Sequence, residues 1–168
     1  GSTLKLSVLG SIATSSGVAN SGTFDISGTT SGATIKTLSG AGAVALGTNT
    51  LTISNANDTY SGVMSGTGGL TLTAGTLTLS GANTYTGATT INGGTLALSG
   101  SGSIATSSGV VDGGTLDISA ITSGASIKTL SGAGGVTLGA KTLTLSNAND
   151  TYSGVMSGTG GLTLTTGT

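Results

Sequence analysis

The chain has 168 residues, of which 5% are charged, and a formal net charge of −1. It holds 33 Gly, three Tyr and one Phe, and no Pro, Cys, Trp or His. This inventory excludes disulfides and thiolate metal sites, gives no basic field to draw nucleic acid or an anionic membrane, and leaves solubility to Thr, Ser and Asn.

Taken in order, strands of the form Thr-apolar-x-apolar-Ser start at Thr3, Thr23, Thr50, Thr76, Thr95, Thr115 and Thr142, and Thr168 falls where an eighth would begin. Apolar and hydroxyl side chains alternate in each, the period-2 pattern of a strand with one dry and one wet face. An apolar residue precedes each strand after the first by four or five positions, from Val18 and Leu46 to Ile91 and Leu138, and Gly marks the corners. No window shows 3.6-residue amphipathicity, and no apolar run reaches 18 residues, so neither a helix nor a transmembrane helix is expected.

A long repeat contains these strands. Residues 3–76 align without gaps onto 95–168, an offset of 92; GSIATSSGV stands at 10–18 and 102–110, and SNANDTYSGVMSGTGGLTLT at 54–73 and 146–165. Strand starts are separated by 20, 27, 26 and 19 residues, which together span the 92-residue repeat, and the 20-, 27- and 26-residue intervals then recur. The expectation is an all-β, parallel β-helix (β-solenoid) of about seven coils, with four coils to each 92-residue repeat. Stacked at ~4.8 Å per coil, it makes a rod of roughly 34 Å. Residues 1–168 form a single solenoid fragment, copy one over 3–94 and a truncated copy two over 95–168, with Gly1-Ser2 read as a cloning scar. The extra length of the 27- and 26-residue laps is assigned to bulged corners at 35–49 and 55–69, copied at 127–141 and 147–161.

The stretch GTLTLSGANTYTGATTINGGTLALSGSGSIA at 75–105 carries a specific signature. It runs Thr76-Leu77-Thr78-Leu79, then Ser80-Gly81-Ala82-Asn83-Thr84-Tyr85-Thr86-Gly87, then Thr89-Thr90-Ile91, then Gly93-Gly94-Thr95-Leu96. This resembles the autotransporter-associated β-strand repeat, also called the passenger-associated transport repeat. The resemblance implies a right-handed β-helical passenger of a large bacterial surface protein, exported through the outer membrane by a type V route. Such repeats serve as stalk and folding aid, and such passengers often serve as adhesins. It supplies no catalytic residues.

Candidate sites are few. With no His, Glu or Arg, the best acid pair is Asp112 with Asp117, whose counterparts one repeat earlier are Asn20 and Asp25; half the pair is missing there, and no catalytic, cofactor-binding or metal residue is assigned. Asn57-Asp58 and Asn149-Asp150 read as Asx turns rather than calcium ligands, which need six to eight oxygens. Asn57, Asn83 and Asn149 form an alternative amide ladder. Tyr60, Tyr85 and Tyr152 read as caps of a narrow core with wet hydroxyls, or as a sugar-stacking row. The Gly clusters at 66–69 and 158–161 lack the Lys-Ser/Thr of a phosphate loop. Thr-x-Thr at 50–52, 71–73, 76–78, 142–144 and 163–165 suggests a hydroxyl grid of the kind an ice-binding solenoid presents, interrupted by Lys5, Asp25, Ala97 and Asp117. The function expected is a structural stalk segment of a surface adhesin, not an enzyme. Its expected partners are another copy of itself, end to end or side by side, or a host surface or glycan met by the long corners, with no nucleic acid, no membrane insertion and no cofactor.

Overall fold

The computed structural model describes residues 1–167 and is built wholly from short parallel strands. The first turn holds β1 (Thr3–Val8) and β2 (Val18–Asn20); the second β3 (Thr23–Thr29), β4 (Ala33–Ile35) and β5 (Leu38–Gly40); the third β6 (Ala43–Gly47), β7 (Leu51–Ile53) and β8 (Thr59–Tyr60). The fourth holds β9 (Met64–Gly66), β10 (Leu70–Leu72) and β11 (Thr76–Leu79), the fifth β12 (Thr89–Ile91) and β13 (Thr95–Gly100), the sixth β14 (Val110–Asp112) and β15 (Thr115–Ile121). The seventh holds β16 (Ala125–Ile127), β17 (Leu130–Gly132) and β18 (Gly135–Gly139), the eighth β19 (Leu143–Leu145) and β20 (Val155–Gly158), and β21 (Leu162–Leu164) opens a ninth.

Each turn visits three sides in a fixed order. The first side is the sheet β1-β3-β6-β9, continued by backbone bonds from Thr84 to Met64 and from Asn83 to Ser103, and then by the sheet β16-β19-β21. The second is β4-β7-β10-β12-β14-β17, and the third β2-β5-β8-β11-β13-β15-β18-β20. Paired residues on neighbouring turns are 18 to 21 positions apart: Ala33 with Leu51, Leu51 with Leu70, Thr3 with Thr23, Thr89 with Val110. Parallel pairing at ~4.8 Å makes the eight turns about 38 Å long.

The period-2 pattern sets the core. Within the TLTL and TLAL strands the leucines point inward and the hydroxyl or small residues outward. Leu77, Leu96, Leu116 and Val136 form one buried column on the third side. Ile35, Ile53, Leu72 and Ile91 form another on the second. Aliphatic side chains of similar size therefore stack along the axis, which packs a thin core with few aromatics.

The parallel solenoid stands as expected, but the lap lengths do not. Leu51 pairs with Ala33 and Leu70 on the second side, whereas Leu77 and Leu96 lie on the third and Phe24 on the first. The strand motif marks whichever side it occupies. The 20- and 19-residue intervals cross three sides, one turn; the 27- and 26-residue intervals cross four. One 92-residue repeat thus spans fourteen sides, or four and two-thirds turns, and equivalent strands land two sides further on. Copies of β1, β3, β6 and β9 on the first side are β13, β15, β18 and β20 on the third. Copies of β4, β7 and β10 on the second are β16, β19 and β21 on the first. Residues 35–49 and 55–69 form no bulged corners; they carry β5, β6, β8 and β9 on the regular path. There are eight turns rather than seven, and Thr168, the expected start of another strand, lies outside the described residues.

Candidate functional site

The repeat's screw-like advance scatters the candidates. The Thr-x-Thr rows occupy all three sides: 50–52 and 71–73 the second, 76–78 the third, 142–144 and 163–165 the first. The longest outward Thr column is Thr34, Thr52, Thr71 and Thr90, ended by Val111. That is one column wide and four rungs high, not a plane. Asn57, Asn83 and Asn149 likewise stand on different sides and form no ladder. Asn57 and Asn149 are exposed. Asn83 is buried and spent on backbone: its Oδ1 accepts from Met64 N–H at 3.0 Å, and its Nδ2 donates to Gly81 O at 3.1 Å and Ser103 O at 3.2 Å.

The tyrosines turn inward. Tyr60 and Tyr85 are fully buried and Tyr152 is partly so, which removes the sugar-stacking row. Their hydroxyls are bonded rather than wet. Tyr60 donates to Gly42 O at 2.5 Å and Tyr152 to Gly134 O at 2.6 Å, equivalent bonds in the two copies. Burial pushes the Tyr60 hydroxyl up to about 12. Tyr85 lies 2.6 Å from Thr89 Oγ1. Thr89 spends its one proton on Ser107 Oγ at 3.0 Å, so Tyr85 is the donor. Ser107 in turn donates to Gly87 O at 2.9 Å, completing a buried hydroxyl chain across two turns.

Asp112 and Asp117 do not form an acid pair. Asp117 sits on β15, half-exposed, and its Oδ1 accepts from Ser119 N–H at 2.8 Å. Asp112 ends β14 on another side and faces inward with no exposure, directly above Ile91 in the apolar column. Its Oδ1 accepts from Gly114 N–H at 3.1 Å; its Oδ2 has no partner. Burial raises its pKa, against a smaller lowering by the Gly114 bond. The next two rungs of the column are Gly132 and Tyr152. The first copy builds the same column from Asn20, Gly40 and Tyr60. Gly40 and Gly132, at φ +96° and +106°, lie close on the turn below, where a Cβ would overlap the backbone of Asn20 or Asp112, and Gly62 and Gly154 leave room for the Tyr60 and Tyr152 hydroxyls, 2.5 Å from where a Cβ would stand.

Exposed charge is sparse. Lys5 and Asp25 pair across β1 and β3 at 3.5 Å, and Ala97 with Asp117 replaces them one repeat later. The Asp25 carboxyl is held below its ordinary value by Ser27, with Lys5 contributing less. Among the described residues no three acids form a group able to hold a metal ion.

Two clefts recur at equivalent positions. One, of about 250 Å³, is lined by Gly10, Ser11, Ala13 and Ser31-Gly32-Ala33; the other, of about 330 Å³, by Gly102, Ser103, Ala105 and Ser123-Gly124-Ala125. Both lie where the GSIATSSGV segment crosses the corner before β4 or β16, and the repeat's advance turns them to different sides. No motif reading singled them out; the identity of 10–18 with 102–110 was the available signal.

No curated protein and no solved structure matches the chain. Residues 74–98 run from the start of β11, through the Asn83 corner and β12, to β13, which pairs back onto β11 with Thr95 beside Thr76. That stretch is one closed turn of the solenoid, and it matches the family model of the passenger-associated-transport-repeat, so the chain carries that repeat from the last strand of its fourth turn through the fifth.

Proposed function

We propose that this solenoid is a structural segment of the passenger of a bacterial autotransporter or related surface adhesin, displayed outside the outer membrane. The observation that carries the reading is the closed turn at 74–98, continuous above and below with turns of the same kind. Each turn buries its neighbour's ladder, so the rod gains length without a larger core. Its role is mechanical and involves no catalysis: to extend, and to fold turn on turn as it emerges. The test is to insert the chain in frame into a passenger carrying a signal peptide and an outer-membrane translocator. The expected result is surface display with a distal tag moved outward by about 38 Å. Failure of the insert to reach the surface folded contradicts the reading.

A second reading, adhesion to a neutral glycan or to a neighbouring copy, is favoured by the two recurrent hydroxyl-lined clefts, which take the place of the long corners. A glycan array and a cell-aggregation assay separate an adhesive segment from an inert one. Thermal hysteresis tests ice binding, which a single four-rung Thr column favours less.

A further inference from the structure

The two copies of the repeat differ at a position that is buried and polar in both, Asn20 in the first and Asp112 in the second. In the first copy Asn20 Nδ2 donates to Ala43 O at 2.8 Å. The residue equivalent to Ala43 is Gly135, and the glycines just before them, Gly42 and Gly134, face Oδ1 of Asn20 and of Asp112 alike, so the two side chains point the same way in their copies. An ionised carboxylate has no proton to give there, and among the described residues Asp112 Oδ2 is the buried side-chain atom left without a partner. We propose that Asp112 is carried as the neutral acid in the folded protein, donating its Oδ2 proton to Gly135 O as the Asn20 amide donates to Ala43 O, and that this makes the sixth to eighth turns lose stability as pH rises, a dependence that Asn20 does not give the first three.

Beyond one backbone N–H, the surroundings supply nothing to stabilise a charge. β12 below presents Ile91, and β17 above presents Gly132. Gly114 gives one N–H to Oδ1. The titratable group facing Asp112 is Tyr152, whose own pKa is raised by burial and then by the Asp112 charge, so the two groups disfavour each other's ionisation. The linkage follows in sign. A carboxyl whose folded pKa is raised contributes its stability below the unfolded value of about 3.9, and loses it as pH rises through the folded value. Each pH unit of elevation is a tenfold loss in the local folded-to-open ratio.

The experiment is a carbon-13 NMR titration of the five Asp carboxyls in the intact chain, with Asp112→Asn to assign the resonance and Asn20→Asp to recreate the site in the first copy. The expected result is a carboxyl titrating well above the ordinary range that vanishes in D112N, and a second such carboxyl in N20D. Amide exchange at Gly134 and Gly135 should lose protection with rising pH in the parent chain and not in D112N. The absence of any Asp carboxyl titrating above about 3.9 overturns the proposal, and needs no variant to read. An ordinary titration of the new carboxyl in N20D overturns the claim that the site imposes the neutral form. An unchanged pH dependence in D112N overturns the coupling to the turn.

Discussion

Replacing Leu96 by Ala tests how the stack holds together. Leu96 is fully buried on β13 between Leu77 below and Leu116 above. The change removes three carbons, about 0.8 kcal/mol each in transfer terms, or roughly 2.4 kcal/mol. The ladder above and below is fixed by backbone bonds and cannot collapse fully, so a cavity term brings the cost to about 3–4 kcal/mol. Because each turn touches only its neighbours, the loss should be local. Amide exchange should accelerate by two to three orders of magnitude in β11, β13 and β15, and far less in β2 and β4. Leu162→Ala is the control, since Leu162 is 46% exposed and should cost less than about 1 kcal/mol. Equal acceleration in every turn would refute the nearest-neighbour reasoning, and a cost for Leu96 no larger than for Leu162 would refute the inward stack.

Tyr60→Phe strips the donor from Gly42 O and leaves a buried carbonyl unpaired, for about 1–2 kcal/mol by chemical denaturation; Tyr152→Phe, in a more open place, should cost less. Gly100 has φ +57° with nothing within 4 Å of a Cβ, while its equivalent, Val8, already sits at φ +54°. Gly100→Val should therefore cost about 1–2 kcal/mol of backbone strain alone, read as a fall in unfolding midpoint. The Asp25 carboxyl, held low mainly by Ser27, supports the fold above the unfolded pKa and loses that support as pH falls through its folded value; Asp25→Asn should flatten thermal stability below about pH 4. Lys5→Ala should change stability by less than about 1 kcal/mol, and less still in high salt. Sedimentation at rising concentration should show end-to-end association, since the terminal turns expose Leu4 and Val8 at one end and Val155 and Leu164 at the other.

Much of this fold is legible in the residues. Alternation in Thr76-Leu77-Thr78-Leu79 fixes which side chains face the core, and the recurrence of the same strand in the same direction fixes parallel stacking. Turn length is harder to read because a three-sided rod puts the same motif on any side. The strands at 38–40, 59–60 and 64–66 are two or three residues long, too short for a period-2 signal. A 20-residue signal was nevertheless present in Gly22, Gly42 and Gly62, each two residues before the buried Phe24, Val44 and Met64. Asp112 could be noticed as the substitution of Asn20, but its burial follows from the position of β14 in the column, which only the correct turn length reveals. The inward turn of Tyr60 is hidden for the same reason: the carbonyl its hydroxyl bonds is Gly42, eighteen residues away in sequence and one turn below.

The most direct test of the three-sided path is a pair of double-cysteine variants, clean because the chain has no Cys. Thr52 and Thr71 are paired outward on β7 and β10, whereas Thr78 lies on another side. Neighbouring parallel strands are ~4.8 Å apart, within the Cα separation a disulfide accepts. Under mild oxidation Thr52→Cys with Thr71→Cys should cross-link within the folded monomer, and Thr52→Cys with Thr78→Cys should not. The opposite pattern would place the strand at Thr50 directly beneath the strand at Thr76, and would contradict a repeat of four and two-thirds turns.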